Sequence, residues 1–147
     1  MNYGKIVTYF ESDEKLVELM QTLSVDYFDV IDDYNQQIVG GILTTTDELQ
    51  KAKTQLTSIY ASLQPIYSKA LSLKKQKEYR YYAEEKEKSG EKFKDGATQI
   101  LAKDAVRRYR DVRDILFGYL KAAESLIYDC KDRIEQNRNG YVKENGK

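Results

Sequence analysis

Leu49, Leu56, Leu63 and Ala70 stand seven residues apart, and so do Ala52, Ile59, Ile66 and Leu73. The two series interleave at alternating spacings of three and four, the a/d seam of a coiled coil held over about four heptads. No strand carries that period, so the centre of the chain is expected to be one long helix. Thr45 and Glu48, in the S/T-x-x-E spacing of a capping box, mark its start. Pro65 falls inside the repeat, but Ile66 and Leu73 keep phase, so a kink is expected there and not an end. Beyond Leu73 the seam positions turn polar at Lys77 and Arg80, and the helix is expected to run into solvent as far as Lys88. A helix of about 44 residues spans about 66 Å.

Ser89-Gly90 breaks the pattern, and Gly96 closes a polar stretch that holds Phe93. A second repeat then interleaves Tyr109, Leu116, Ala123 and Cys130 with Val112, Tyr119 and Leu126. Leu120, Ile127 and Ile134 widen it, as a helix with more than one packing partner requires. Asn139-Gly140 is expected to end it. Two long helices around one polar turn predict an antiparallel helical hairpin over residues 45–138, with a polar tail at 139–147.

The first third is also helical in pattern. Ser12 reads as an N-cap, with Asp13 and Glu14 in the first turn and Leu16, Val17, Leu19, Met20 and Leu23 on one face. Ser24 restarts the pattern with Val25, Phe28, Ile31, Tyr34 and Ile38, and Gly40-Gly41 ends it. One bent helix or two short ones fit equally. Residues 1–11 fit a short strand or a lead-in, and the sequence does not decide. The expected fold is all-α: a coiled-coil-like hairpin with an acidic helical segment, residues 1–44, packed on its open end. At 147 residues this is one domain.

Composition removes whole classes of chemistry. There is no His and one Cys, Cys130, which excludes Cys/His zinc sites, His bases and triads, and internal disulfides. One Pro and eight Gly are too few for a sandwich or barrel of many short strands. No EF-hand loop, P-loop or dinucleotide fingerprint is present. Asp26, Asp29, Asp32 and Asp33 share part of a helix, and a solvated or partner-facing surface is the expected reading over a cation site. Cys130 sits in the apolar repeat as a packing thiol. No enzyme, cofactor or metal is expected. A lone Cys, no apolar run of the ~20 residues a membrane span needs, and an N-terminus without a signal peptide's apolar stretch point to the cytoplasm.

Charge has direction along the chain. Residues 1–48 hold two basic and ten acidic residues, residues 49–113 sixteen basic and eight acidic, and residues 114–147 six of each. An acidic first third and a basic middle suit a polyanion at the middle and a protein partner, or a neighbouring copy, at the first third.

Basic and aromatic residues interleave in the distal half of the hairpin. Lys74, Lys75, Lys77, Tyr79, Arg80, Tyr81 and Tyr82 stand on the ascending helix, and Lys103, Arg107, Arg108, Tyr109, Arg110 and Arg113 on the descending one. Antiparallel pairing about residue 92 sets residue 80 opposite roughly 105. Cations neutralise phosphates and Tyr rings stack unpaired bases, the combination used for sequence-tolerant single-strand binding. The candidate contacts are Lys74, Lys75, Lys77, Tyr79, Arg80, Tyr81, Tyr82, Arg107, Arg108 and Arg110. The competing reading makes these Tyr residues a closure of the core's end, with Glu78, Glu84, Glu85 and Glu87 as helical ion partners.

A basic, Tyr-bearing helix from Lys74 to Lys88, a Ser-Gly turn, Phe93 and an Arg-rich helix beginning near Ala97 resemble the small helical recombination mediators of tailed phages and related small helical-hairpin phage proteins. The resemblance covers residues 66–135. It implies an oligomer that binds single-stranded DNA and helps load a recombinase in the host cytoplasm, with Lys77, Arg80, Arg107 and Arg108 as backbone contacts. Two functions are therefore expected to compete: a nucleic-acid-binding accessory protein, and a protein-interaction module such as a phage adaptor, assembly factor or inhibitor of a host nuclease. Self-association is expected in either case, through the apolar seam and the opposite charges of the two regions.

Overall fold

The start of the long helix is built as its capping chemistry requires. Thr45 Oγ1 accepts from the Glu48 backbone N–H at 3.2 Å, and Glu48 Oε2 accepts from the backbone N–H groups of Thr44 and Thr45 at 3.2 and 3.3 Å. Otherwise orphaned helix donors are thereby satisfied. The computed structural model describes residues 3–145, and every element among them is helical: α1 (Tyr3–Tyr9), α2 (Asp13–Leu23), a π-helical turn (Ser24–Phe28), α3 (Asp29–Val39), α4 (Thr46–Ser89), a 3-10 turn (Gly90–Lys92), α5 (Asp95–Ala105) and α6 (Arg107–Asn145). The architecture is an all-α bundle built on two long antiparallel helices.

Two compact units share this chain, one made of Met1–Leu19 with Pro65–Leu116 and the other of Met20–Gln64 with Phe117–Lys147. In the first unit Ile6, Phe10, Leu16 and Leu19 are buried with Ile66, Ala70, Val106, Tyr109, Val112 and Leu116. The antiparallel course of α4 against α5 and α6 shows in Lys77, which donates from Nζ to the Tyr109 hydroxyl of α6, and in Tyr82, which donates to Asp95 of α5. Where a short strand or a frayed lead-in was expected at residues 1–11, Tyr3–Tyr9 form α1, with residues 1–2 outside the described residues, and the apolar area that Ile6 and Phe10 bury explains the helix.

The second unit buries Leu23, Phe28, Ile31 and Ile38 with Leu49, Ala52, Leu56, Ile59 and Leu63, and with Leu120, Ala123, Leu126, Cys130 and Ile134. Phe28 stacks on Tyr119 with centroids 4.1 Å apart, and the Tyr119 hydroxyl donates to Asp32 at 2.9 Å. Asn137 Nδ2 donates to the Thr44 carbonyl at 3.0 Å, which pins the far end of α6 to the start of α4. A Schellman motif ends α3. The Gly41 N–H reaches Ile38 O at 3.2 Å and the Ile42 N–H reaches Gln37 O at 2.8 Å, and the turn needs Gly41 at φ 73°.

The first third is one helical run re-phased by a π turn, between the bent helix and the two helices expected. α4 runs unbroken through Pro65 to Ser89. The descending helix departs from expectation in three respects. It begins at Asp95, it is interrupted at Val106, and it passes Asn139-Gly140 to reach Asn145. Gly140 does not take the positive φ of a helix-ending glycine, so the expected stop is not made there. Of the expected tail, residues 146–147 lie outside the described residues. The a/d seam also has a different role from the one expected. Leu49, Ile59, Leu63 and Ile66 are all buried within the chain, so they offer no apolar surface to a second copy.

Candidate nucleic-acid interface

All ten candidate residues lie in the first unit, where α4 and the start of α6 carry them. The helical period of α4 divides its candidates between two grooves. Lys74, Lys75, Tyr79 and Tyr82 line an open groove of about 700 Å³ whose other wall is Gln99, Ala102 and Lys103 of α5. Lys77, Arg80 and Tyr81 line a second groove, about 420 Å³, with Leu73, Ala105, Tyr109 and the N-terminal residues Val7, Phe10 and Glu11. Arg80 and Ala105 line the same groove, in keeping with the antiparallel register.

The two tyrosines of the open groove differ. Tyr82 is held: its hydroxyl donates to Asp95, which pushes its pKa up, and its ring meets Phe93 edge-on at 5.4 Å. Tyr79 is 75% exposed and presents its ring to solvent. Lys75 and Lys103 are exposed on the two walls beside it. Lys74 is paired with Glu78 at 3.0 Å.

The arginines are distributed otherwise than the sequence suggested. Arg107 is bound to Asp104 at 2.6 Å and Arg108 to Asp13 at 3.2 Å, while Arg113 is bound to Asp114 at 2.7 Å. Arg110 is half-buried on α6 and lines neither groove. Asp13 belongs to the acidic first turn of α2, so the acidic N-terminal segment meets the basic helix within the same chain. The pairs of Arg107 and Arg108 are exposed and contribute at most about 1 kcal/mol each. Lys77 is engaged as well, since it donates to the Tyr109 hydroxyl and lies 4.3 Å from that ring's centroid.

Sequence reasoning missed Asp95 as the anchor of Tyr82, and Asp13 as the partner of Arg108. Asp95, as the acid opening the descending helix, was the one local signal of the first. No metal-holding cluster of carboxylates or thiols occurs among the described residues, and burial raises the pKa of the Cys130 thiol. Comparison with protein-family models, with curated proteins and with solved structures finds no match to this chain.

Proposed function

We propose that the chain is a single-stranded nucleic-acid-binding accessory protein, acting as an oligomer in the cytoplasm and without catalytic chemistry of its own. The reading rests on one arrangement: the exposed Tyr79 ring beside Lys75 and Lys103 on the walls of an open groove. A flat ring open to solvent accepts an unpaired base, and lysines on either wall accept the phosphates that flank it. Tyr82, fixed by Asp95 and Phe93, forms the end of the groove and holds its shape. Lys77, Arg80 and Tyr81 extend the basic character around α4. The resemblance of residues 66–135 to phage recombination mediators, expected from the sequence, would make single-stranded DNA the ligand.

The test is a salt titration of affinity for a labelled oligonucleotide. Binding to single strands should weaken as salt rises, with a log–log slope of about −0.7 per phosphate contacted. A folded chain that binds no oligonucleotide at low salt refutes the proposal. One observation favours a protein-interaction module in that event: Lys74, Arg107, Arg108 and Arg113 are each held by a carboxylate of the chain itself. The exposed Asp26, Asp29 and Asp33 would then be the surface offered to a basic partner.

A further inference from the structure

Among the described residues that line the open groove, Glu78 is the one carboxylate. A surface that attracts phosphates gains nothing from an acid in its wall, so the acid needs another account. Lys74 Nζ lies 3.0 Å from Glu78 Oε2, and the two side chains are drawn partly out of solvent, at 15% and 25% exposure. The lysine neutralises the carboxylate without using it up. Glu78 Oε1 takes no hydrogen bond from any described residue, and an ionised carboxylate can only accept. The groove therefore offers a ligand one open acceptor beside an ammonium group that keeps protons to donate.

We propose that the Lys74–Glu78 pair reads the base stacked on Tyr79 and favours guanine. The inference rests on the nucleic-acid reading above. Glu78 and Tyr79 are consecutive in α4 and line the same groove, so a base on the ring has its edge beside the pair. Along a DNA strand the phosphates and sugars offer acceptors, and the donors are the N–H groups of the bases. Guanine matches the pair best. Its O6 accepts from Lys74 Nζ, and its N1–H and N2–H groups donate to the carboxylate. Adenine and cytosine each bring a single amino group beside a ring nitrogen that accepts. Thymine holds its one N–H between two carbonyls, so pairing it with Glu78 also sets a carbonyl against the carboxylate. Stacking on Tyr79 and phosphate contacts at Lys75 and Lys103 are indifferent to the base, so the preference enters through this pair.

The test compares the affinity of the full chain for three short oligothymidines, one unaltered, one with a central guanine and one with a central inosine, which is guanine without its N2 amino group. The parent should bind the guanine strand about fivefold or more tighter than the unaltered one, with the inosine strand between them. Glu78→Ala, at an unchanged helical spectrum, should bind all three alike. A carboxylate that served only to hold Lys74 would shift the three affinities together and leave their ratios as they were. Guanine and inosine strands bound alike by the parent overturn the proposal and leave the nucleic-acid reading standing. A guanine preference that persists in Glu78→Ala overturns the role of the pair. A folded parent that binds none of the three refutes the nucleic-acid reading, and this inference with it. The inosine comparison uses the parent alone, so it does not depend on the fold of the variant.

Discussion

The Tyr109 hydroxyl donates to the backbone carbonyl of Phe10 at 2.7 Å, a buried bond between residues 99 positions apart in sequence. The two rings stack with centroids 5.7 Å apart, and Lys77 donates to the same hydroxyl. One side chain thus ties the N-terminal segment, α4 and α6 together within the first unit. Tyr109→Phe keeps the ring and removes the donor, leaving a buried carbonyl unpaired. The expected loss is about 1–3 kcal/mol of stability, read as a lower urea midpoint at unchanged slope. An unchanged midpoint would show that water replaces the bond.

Pro65 is exposed in the interior of α4, where its missing N–H leaves one carbonyl without its helical partner. Its neighbours Leu63 and Ile66 are buried in the phase of the heptad, so the helix continues because packing outweighs the local cost. Pro65→Ala restores the donor and removes the ring. It should raise stability by about 1–3 kcal/mol, measured by thermal or urea unfolding. A destabilised variant would mean that the ring's geometry at this position is required by the fold.

Glu48 gives the start of α4 a pH dependence. The backbone N–H groups of Thr45, and then Thr44, hold its carboxylate below its ordinary pKa. A depressed folded pKa stabilises the fold above the unfolded value, and that contribution is lost as the pH falls through the folded one. Glu48→Gln should therefore flatten the acid limb of a stability-versus-pH curve and leave the limb above neutrality parallel to the parent. Thr45→Ala removes the other half of the box and should cost about 1 kcal/mol at neutral pH. Identical acid limbs in parent and Glu48→Gln would show that the cap carries no linkage.

The parts of this fold legible in the sequence are those specified locally. Thr45 and Glu48 announce the start of α4, Gly41 the end of α3, and the heptad the buried face from Leu49 to Ala70. The parts that were not legible depend on residues far apart in the chain. α1 forms because Ile6 and Phe10 find an apolar surface, and nothing in residues 1–11 encodes that surface. The site was half legible for the same reason. Charge and aromatic content single out α4 in the sequence, but carboxylates at positions 13, 95 and 104 decide which candidates are engaged, and each of these contacts joins separate helices. The interruption at Val106, whose side chain is fully buried, has no local signal in the sequence.

The proposed strand-binding surface separates the candidates into two groups that should behave differently. Lys75 and Lys103 stand on the walls of the open groove, whereas Arg107 and Arg108 are already held by Asp104 and Asp13. A cation that must leave a carboxylate to reach a phosphate gains less from the exchange. Charge reversal at Lys75 and Lys103 should therefore weaken oligonucleotide binding and flatten its salt dependence by about 1.4 units of slope for the pair, close to equally for any base sequence. Reversal at Arg107 and Arg108 should have the smaller effect on both. Tyr79→Ala should lower affinity by about 1–3 kcal/mol, the worth of one stacked base, and leave the salt slope nearly unchanged because no phosphate contact is lost. Tyr82→Phe removes the bond to Asp95 and keeps the ring against Phe93, so its effect should be small beside that of Tyr79→Ala. Affinities measured at several salt concentrations for these variants separate the contributions. If Tyr79→Ala binds as the parent does while the parent itself binds, the base does not stack on this ring and the strand follows another face of α4.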